Sequence, residues 1–253
     1  MYDAIVLAGG ESTGELRLHL DQPCKALIQF AGKPMVSYVT DALAASKQVS
    51  RIIVAGPAAA LGSCSFPPGT RIVEGGSSIM ETVQLAAAEL GHNEKTIVAT
   101  ADIPLLTADG VNDFLFRCST VEADLHYPVV SEIDYEKTYP GSKRTFVRLR
   151  DGTFTGGNLF LVNPAIIPQC LTIAEKIVAH RKNPLRLCHI IGWLFVAEFI
   201  FGMITLEKAE KQVSDLLAIG GAVIRSPYPE VGMDVDKLSD YERVKIVLSR
   251  DIN

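Results

Sequence analysis

The chain lacks a basic excess. Its 24 lysines and arginines face 29 aspartates and glutamates, a net charge of −5 with a pI near 5.6. A protein that tracks a phosphate backbone needs the opposite balance, so nucleic acid is not an expected partner. Cysteine is sparse as well: Cys24, Cys64, Cys118, Cys170 and Cys188 stand far apart, without a C-x-x-C pair. That argues against a disulfide framework or a structural zinc site and fits a reducing, cytoplasmic setting. The five histidines (His19, His92, His126, His180, His189) lack metal-ligand spacing and read as surface or packed residues. No basic segment precedes the short apolar run Ala4 to Ala8, so no secretory leader is expected. Internal repeats and low-complexity tracts are absent. Two common phosphate motifs are missing too: there is no G-x-x-x-x-G-K-[ST], and Gly9, Gly10 and Gly14 do not form G-x-G-x-x-G.

What remains is a chain of 253 residues with 48% hydrophobic and 21% charged side chains, enough to bury a full core. Continuous apolar runs at Ile5–Leu7, Arg51–Ala55, Thr96–Thr100 and Leu125–Val130 read as buried strands. They alternate with helical patterns at Met35–Ala45, Ile79–Leu90 and Ala108–Cys118. The alternation predicts an α/β fold, a three-layer, doubly wound and mostly parallel sheet. Pro34 suits a first helical turn, and Ser78 with Glu81 and Ser239 with Glu242 make two predicted capping boxes. The polar, basic segment Glu132–Asp151 reads as an inserted hairpin or lid, ahead of a turn-rich Gly152–Asn158. Residues 164–218 read as a helical insertion within one domain spanning 1–253, and Ala222–Arg225 as a last strand.

Parallel strands end at one sheet edge, where open α/β folds bind ligands. Gly9 and Gly10 allow close backbone approach there, and the loop that follows brings Arg17 and Lys25, so phosphate is the natural guest. Leu7-Ala8-Gly9-Gly10, then Pro23-Cys24-Lys25-Ala26-Leu27, then Ala31-Gly32-Lys33-Pro34-Met35-Val36 resembles the opening of the nucleotidyltransferases of the nucleotide-sugar and molybdenum-cofactor (MobA-like) superfamily. The last hexapeptide is especially similar to the N-acetylglucosamine-1-phosphate uridylyltransferase domains. The resemblance implies a nucleoside triphosphate on Leu7, Ala8, Gly9 and Gly10, with Lys25 as the α-phosphate lysine. Arg17 is the loop arginine, displaced by a longer loop where the family pattern would fall on Gly14. Glu74-Gly75-Gly76 and Glu81-Thr82-Val83 resemble the base-recognition segment of the isoprenoid cytidylyltransferases, implying roles for Gly75, Gly76 and Thr82. In that segment Ile79 replaces arginine and Thr82 replaces serine.

Thr100-Ala101-Asp102-Ile103-Pro104 resembles the family's G/C-D-x-P segment, and Met233-Asp234-Val235-Asp236 resembles its terminal D-x-D. The implied Mg²⁺ ligands are Asp102 with Asp236 or Asp234, and spacing alone leaves that choice open because both carboxylates share a face of an extended chain. The resemblance makes Lys25, Asp102 and Asp236 the expected catalytic set. A hard cation held by carboxylates is how proteins meet the charge of a triphosphate. On the acceptor side, Lys143, Arg144, Arg148 and Thr155-Gly156-Gly157-Asn158 are candidates, with Arg144, Gly157 and Asn158 foremost. The implied reaction is magnesium-dependent transfer of a nucleoside monophosphate to a phosphorylated small-molecule acceptor, releasing pyrophosphate. A metal-dependent glycosyltransferase and a non-catalytic nucleotide-sensing module are the alternatives. The most apolar stretch, Leu187–Thr205, follows Arg181, Lys182 and Arg186 and contains His189, Gly192, Glu198 and Gly202. A glutamate near its middle argues against a membrane span. It reads instead as a buried helical hairpin, a homodimer contact or an apolar acceptor pocket.

Overall fold

A computed structural model of the chain describes residues 1–91, 95–142, 144–170, 173 and 189–250. Among these, the strands are β1 (Tyr2–Leu7), β2 (Gln29–Phe30), β3 (Lys33–Pro34), β4 (Val49–Gly56), β5 (Arg71–Glu74), β6 (Thr96–Thr100), β7 (Leu125–Ser131), β8 (Val147–Leu149), β9 (Gly152–Gly156), β10 (Leu159–Val162) and β11 (Gly221–Arg225). Apart from the small β2–β3 hairpin they form one mixed sheet in the order β5-β4-β1-β6-β10-β7-β9-β8, with β11 also paired to β7. The pairs β5–β4, β4–β1 and β1–β6 are parallel, and β10 runs antiparallel between β6 and β7.

Helices cover both faces, as the continuous apolar strands require. Ala4 and Val6 point to a core shared with α2 (Met35–Ala45) and α5 (Ala108–Cys118). Ile5 points the other way, to Val83, Ala86 and Ala87 of α4 (Ile79–Leu90). The alternation is the strand period of two. Other helices are α1 (Gly14–Leu20), α3 (Ala58–Leu61), α6 (Glu132–Thr138), α7 (Trp193–Ile200), α8 (Leu206–Leu217) and α9 (Leu238–Arg250).

Several local expectations are corrected. At α4 the Ser78 hydroxyl accepts from the Glu81 N–H, but the Glu81 carboxylate reaches back to the N–H and hydroxyl of Ser77. The Ser239–Glu242 box does not form, because α9 begins one residue before Ser239. There the Asp240 carboxylate accepts from the N–H groups of Asp236 and Lys237 at 3.2 and 2.9 Å. Glu132–Asp151 is not a free hairpin: Ser131 caps α6, buried Tyr135 anchors it, and the β8–β9 hairpin joins the main sheet through β7. Thr155 and Gly156 belong to β9 rather than to a turn. Pro34 stands at the N-cap of α2, one residue before its first turn.

The apolar stretch breaks at Gly192 and Gly202, which have φ of 104° and 66°, values that favour glycine. No residue of α7 is buried, which corrects the expected buried hairpin, and no described helix is long and apolar enough to cross a membrane. His92, Lys143, His180, Arg181, Lys182, Arg186, Leu187 and Cys188 lie outside the described residues.

Candidate nucleotidyl-transfer site

The strand ends of β1, β4 and β6 are tied together before any ligand is considered. The Ala8 N–H donates to Ala55 O at 2.7 Å, and the Ala101 N–H donates to Leu7 O at 3.0 Å. Buried Ala8 is approached so closely by Gly56 that a Cβ on Gly56 would lie 2.8 Å from the Ala8 carbonyl carbon. Beyond it Gly9 and Gly10 are exposed, and a Cβ on Gly9 would meet no other atom within 4 Å. The face of the loop is therefore open. Gly10 O accepts from the Lys25 N–H at 2.9 Å, which returns the chain to the strand edge and delivers the lysine.

Lys25 joins the two acidic segments. Its Nζ lies 2.6 Å from Asp102 Oδ2 and is also paired with Asp236. Burial works against the ammonium, but Asp102 and then Asp236 outweigh it and hold the Lys25 pKa above its ordinary value. Asp102 is oriented by a hydrogen bond from the Thr100 hydroxyl, and its carbonyl accepts from the Val235 N–H at 3.0 Å. That backbone bond brings the terminal D-x-D beside the end of β6. Asp234 is ion-paired with Arg144, and its carboxyl is pushed up by burial, with Asp236 and Asp102 adding to the rise and Arg144 opposing it.

Oxygens of Asp102, Asp234 and Asp236 all lie within 4.8 Å of one another. Hard divalent ions take carboxylate oxygens, and Mg²⁺ is commonly held by one or two of them plus substrate phosphates and water. The donor set fits such an ion.

A polar cavity of about 330 Å³ opens beside the carboxylates, lined by Tyr127, Arg144, Thr155, Gly156, Gly157, Asn158, Asp234 and Asp236. Arg144 is largely engaged. Nε donates to Thr155 Oγ1 and Nη2 to Gly156 O, both at 2.9 Å, while Nη1 meets Asp234. The Asn158 backbone is fixed by bonds to Val231 O at 2.7 Å and from the Thr100 N–H at 3.1 Å. Its side-chain Nδ2 is buried with no partner among the described residues, on a residue that lines the cavity. Arg148 stands elsewhere, at a surface recess with Arg150, Ile200 and Phe201.

The Gly75–Gly76 turn is held from inside. The Gly75 N–H donates to Gly56 O at 3.0 Å, the Gly76 N–H to Thr82 Oγ1 at 3.0 Å, and the Thr82 hydroxyl donates to Ser78 O at 2.8 Å. A Cβ on Gly76 would collide with the Glu81 side chain. Both glycine N–H groups are spent, so carbonyl oxygens are what this turn can offer a base. Buried Thr82 shapes the turn. Arg17 lies mid-helix in α1, exposed and outside the lysine–carboxylate cluster, without a side-chain partner among the described residues.

A glycine loop, a carboxylate at the end of β6 and a D-x-D near the end of the chain meet at one sheet edge. Residues 4–181 match the family model described as the MobA-like NTP transferase domain. The chain belongs to that family. Among solved structures, a hypothetical transferase from Thermus thermophilus is 34% identical, with a TM-score of 0.81 over 94% of this chain and 98% of that one. CMP:2-keto-3-deoxy-manno-octonic acid synthetase complexed with CTP superposes with a TM-score of 0.63 at 12% identity, over 99% of this chain and 100% of its own. The 4-diphosphocytidyl-2C-methyl-D-erythritol synthase of Anaerococcus prevotii gives 0.56 at 11% identity, over 98% and 96%. These two establish the fold. No curated protein matches the chain.

In this MobA-like NTP transferase domain the sequence reading named Lys25, Asp102, Asp234, Asp236 and Asn158, and the fold gathers all five. It missed three residues. Thr100 precedes Asp102 by two positions in an extended chain, so the T-x-D spacing alone puts both side chains on one face. Asp240 hydrogen-bonds the backbone of the D-x-D loop and was legible as an acid in the first turn of a helix. Tyr127 had no sequence signal beyond being an aromatic in a strand.

Proposed function

We propose that the chain is a Mg²⁺-dependent nucleotidyltransferase that moves a nucleoside monophosphate from a nucleoside triphosphate to a phosphorylated small-molecule acceptor. One observation carries the proposal: Lys25, Asp102, Asp234 and Asp236 converge beside the open glycine loop on one side and the polar cavity on the other. The whole chain is read as one such domain, with residues 164–218 as an insertion.

Asp102 and Asp236, with Asp234, would hold the Mg²⁺, which supplies charge neutralisation at the phosphates when bound. The exposed Gly9–Gly10 backbone receives the triphosphate, and the Lys25 ammonium is placed to exchange a carboxylate partner for an α-phosphate oxygen. Gly75 and Gly76 present carbonyls to the base. In the cavity, the free Asn158 amide donates to the acceptor, and Arg144 holds Asp234 and the cavity wall in position. An oxygen of the acceptor phosphate forms a bond to the α-phosphorus, the bond from α-phosphorus to the bridging oxygen breaks, and the electron pair leaves with pyrophosphate. An anionic acceptor needs no strong base, so positioning and charge stabilisation do most of the catalysis.

Thermal unfolding with each of the four NTPs, with and without Mg²⁺, tests the binding half. A ligand at a hundred times its dissociation constant adds about 2.7 kcal/mol. A Mg²⁺-dependent rise in Tm with at least one NTP is expected, and no rise with any of them contradicts the proposal.

A further inference from the structure

Behind the polar cavity lies a second one of about 440 Å³, with walls of Val129, Phe154, Val223, Ala209 of α8, and Phe195 and Phe199 of α7. Protein interiors leave few voids larger than a water molecule, whereas spaces of several hundred cubic ångströms with apolar walls are where small molecules bind. Two polar groups on its rim, Glu210 and Ser214, already have partners. Glu210 accepts from the Val223 N–H at 2.6 Å, and the Ser214 hydroxyl donates to Glu210 O at 2.9 Å and accepts from the Gly221 N–H at 3.2 Å. A guest there meets mainly hydrocarbon and aromatic surface.

Tyr127, Thr155 and Gly156 line both cavities, so the apolar space adjoins the polar one. Tyr127 stands where the two meet, with its hydroxyl against Gly156. The absence of a side chain at Gly156 makes room for that hydroxyl, since a Cβ there would collide with it.

We infer that the acceptor is amphiphilic, an alkyl or alkenyl phosphate whose anionic head lies at Asn158 and whose hydrocarbon chain enters the cavity under α7 and α8. The inference deepens the proposed reaction by naming its acceptor class, and its head-group end rests on that reading.

The test is calorimetric titration of the full chain with inorganic phosphate and n-alkyl phosphates of increasing length, each below its micelle concentration. Pyrophosphate release from NTP and Mg²⁺ is assayed with the same acceptors. Affinity should rise about fourfold per methylene, the equivalent of ~0.8 kcal/mol, until the cavity is filled. Ala209→Trp, which fills the space, should flatten the series and leave inorganic phosphate binding unchanged. Val213→Asp, at a half-exposed position on the same wall, gives the same readout if the tryptophan variant does not fold. Trp193→Ser, on the exposed side of α7, should change nothing. Affinity independent of chain length, or a series lost in Trp193→Ser but kept in both cavity variants, overturns the inference. If pyrophosphate is still released with short acceptors in that case, the nucleotidyl-transfer reading stands. A chain-length series flattened by the cavity variants, without pyrophosphate release from any NTP, supports the tail cavity and overturns the reaction.

Discussion

The Lys25 ammonium lies 2.6 Å from the Asp102 carboxylate across 77 residues of sequence, and it contacts Asp236 as well. One cation therefore neutralises part of a site that gathers three carboxylates. Lys25→Met removes that charge, so the carboxylates repel one another more strongly and attract a cation more strongly. Mg²⁺ affinity is expected to rise about tenfold, or ~1.4 kcal/mol, while turnover falls by about a hundredfold because the proposed partner of the α-phosphate is lost. Metal titration by calorimetry beside a turnover assay checks both directions. Weaker Mg²⁺ binding in the variant would contradict the arrangement.

Thr82 fixes the glycine turn by accepting from the Gly76 N–H and donating to Ser78 O. Thr82→Val keeps the shape and removes both bonds, leaving the part-buried Gly76 N–H without its partner. Stability should drop by about 1–2 kcal/mol in urea unfolding. The KM for NTP should rise more than kcat falls if the turn makes the proposed contact with the base.

Gly156 and Tyr127 are a fitted pair, because a methyl group at 156 would collide with the tyrosine hydroxyl. Gly156→Ala is expected to cost about 1–3 kcal/mol by overpacking. Tyr127→Phe in the same chain should recover part of that loss. A double-mutant cycle with no coupling would show that the close approach is unimportant.

Glu230 is 8% exposed and accepts from the Thr107 hydroxyl at 2.8 Å. Burial raises its pKa above the ordinary carboxyl value of 4.5, with Asp109 adding a little and hydrogen bonds opposing. A raised native pKa on an acid means that the folded state holds the proton more tightly than the unfolded state. Its contribution to stability therefore falls as pH rises from the unfolded value through the folded one. Glu230→Gln can keep the bond from Thr107 and has no charge to bury. Its stability relative to wild type should increase with pH across that window and be flat above it, as followed by unfolding between pH 4 and pH 8.

Much of the fold was legible because buried parallel strands are continuous apolar runs: β1, β4, β6 and the helices α2, α4 and α5 follow directly from pattern. β5 was not, because Arg71 and Glu74 at its ends give a sheet-edge strand a polar reading. β10 was hidden by its length of four residues, with only two residues between it and the end of β9. Lys25, Asp102 and the D-x-D were readable from residue type and chain position. The pairing of Arg144 with Asp234, and the spending of the Gly75 and Gly76 N–H groups on their own turn, are products of tertiary packing that local spacing does not carry. The apolar stretch was visible, but not its division at Gly192 and Gly202 into a helix that is partly cavity wall and partly exposed surface.

Pyrophosphate release from each NTP over a panel of phosphorylated acceptors tests whether Asp102 and its neighbours support transfer of a nucleoside monophosphate. It is measured with Mg²⁺ and with chelator, on the wild type, Asp102→Asn and Asp236→Asn. Release from the wild type that requires Mg²⁺, and that falls by about a hundredfold or more in both folded variants, is the predicted result. Release that persists in chelator, or that is unchanged in both variants, would contradict the account.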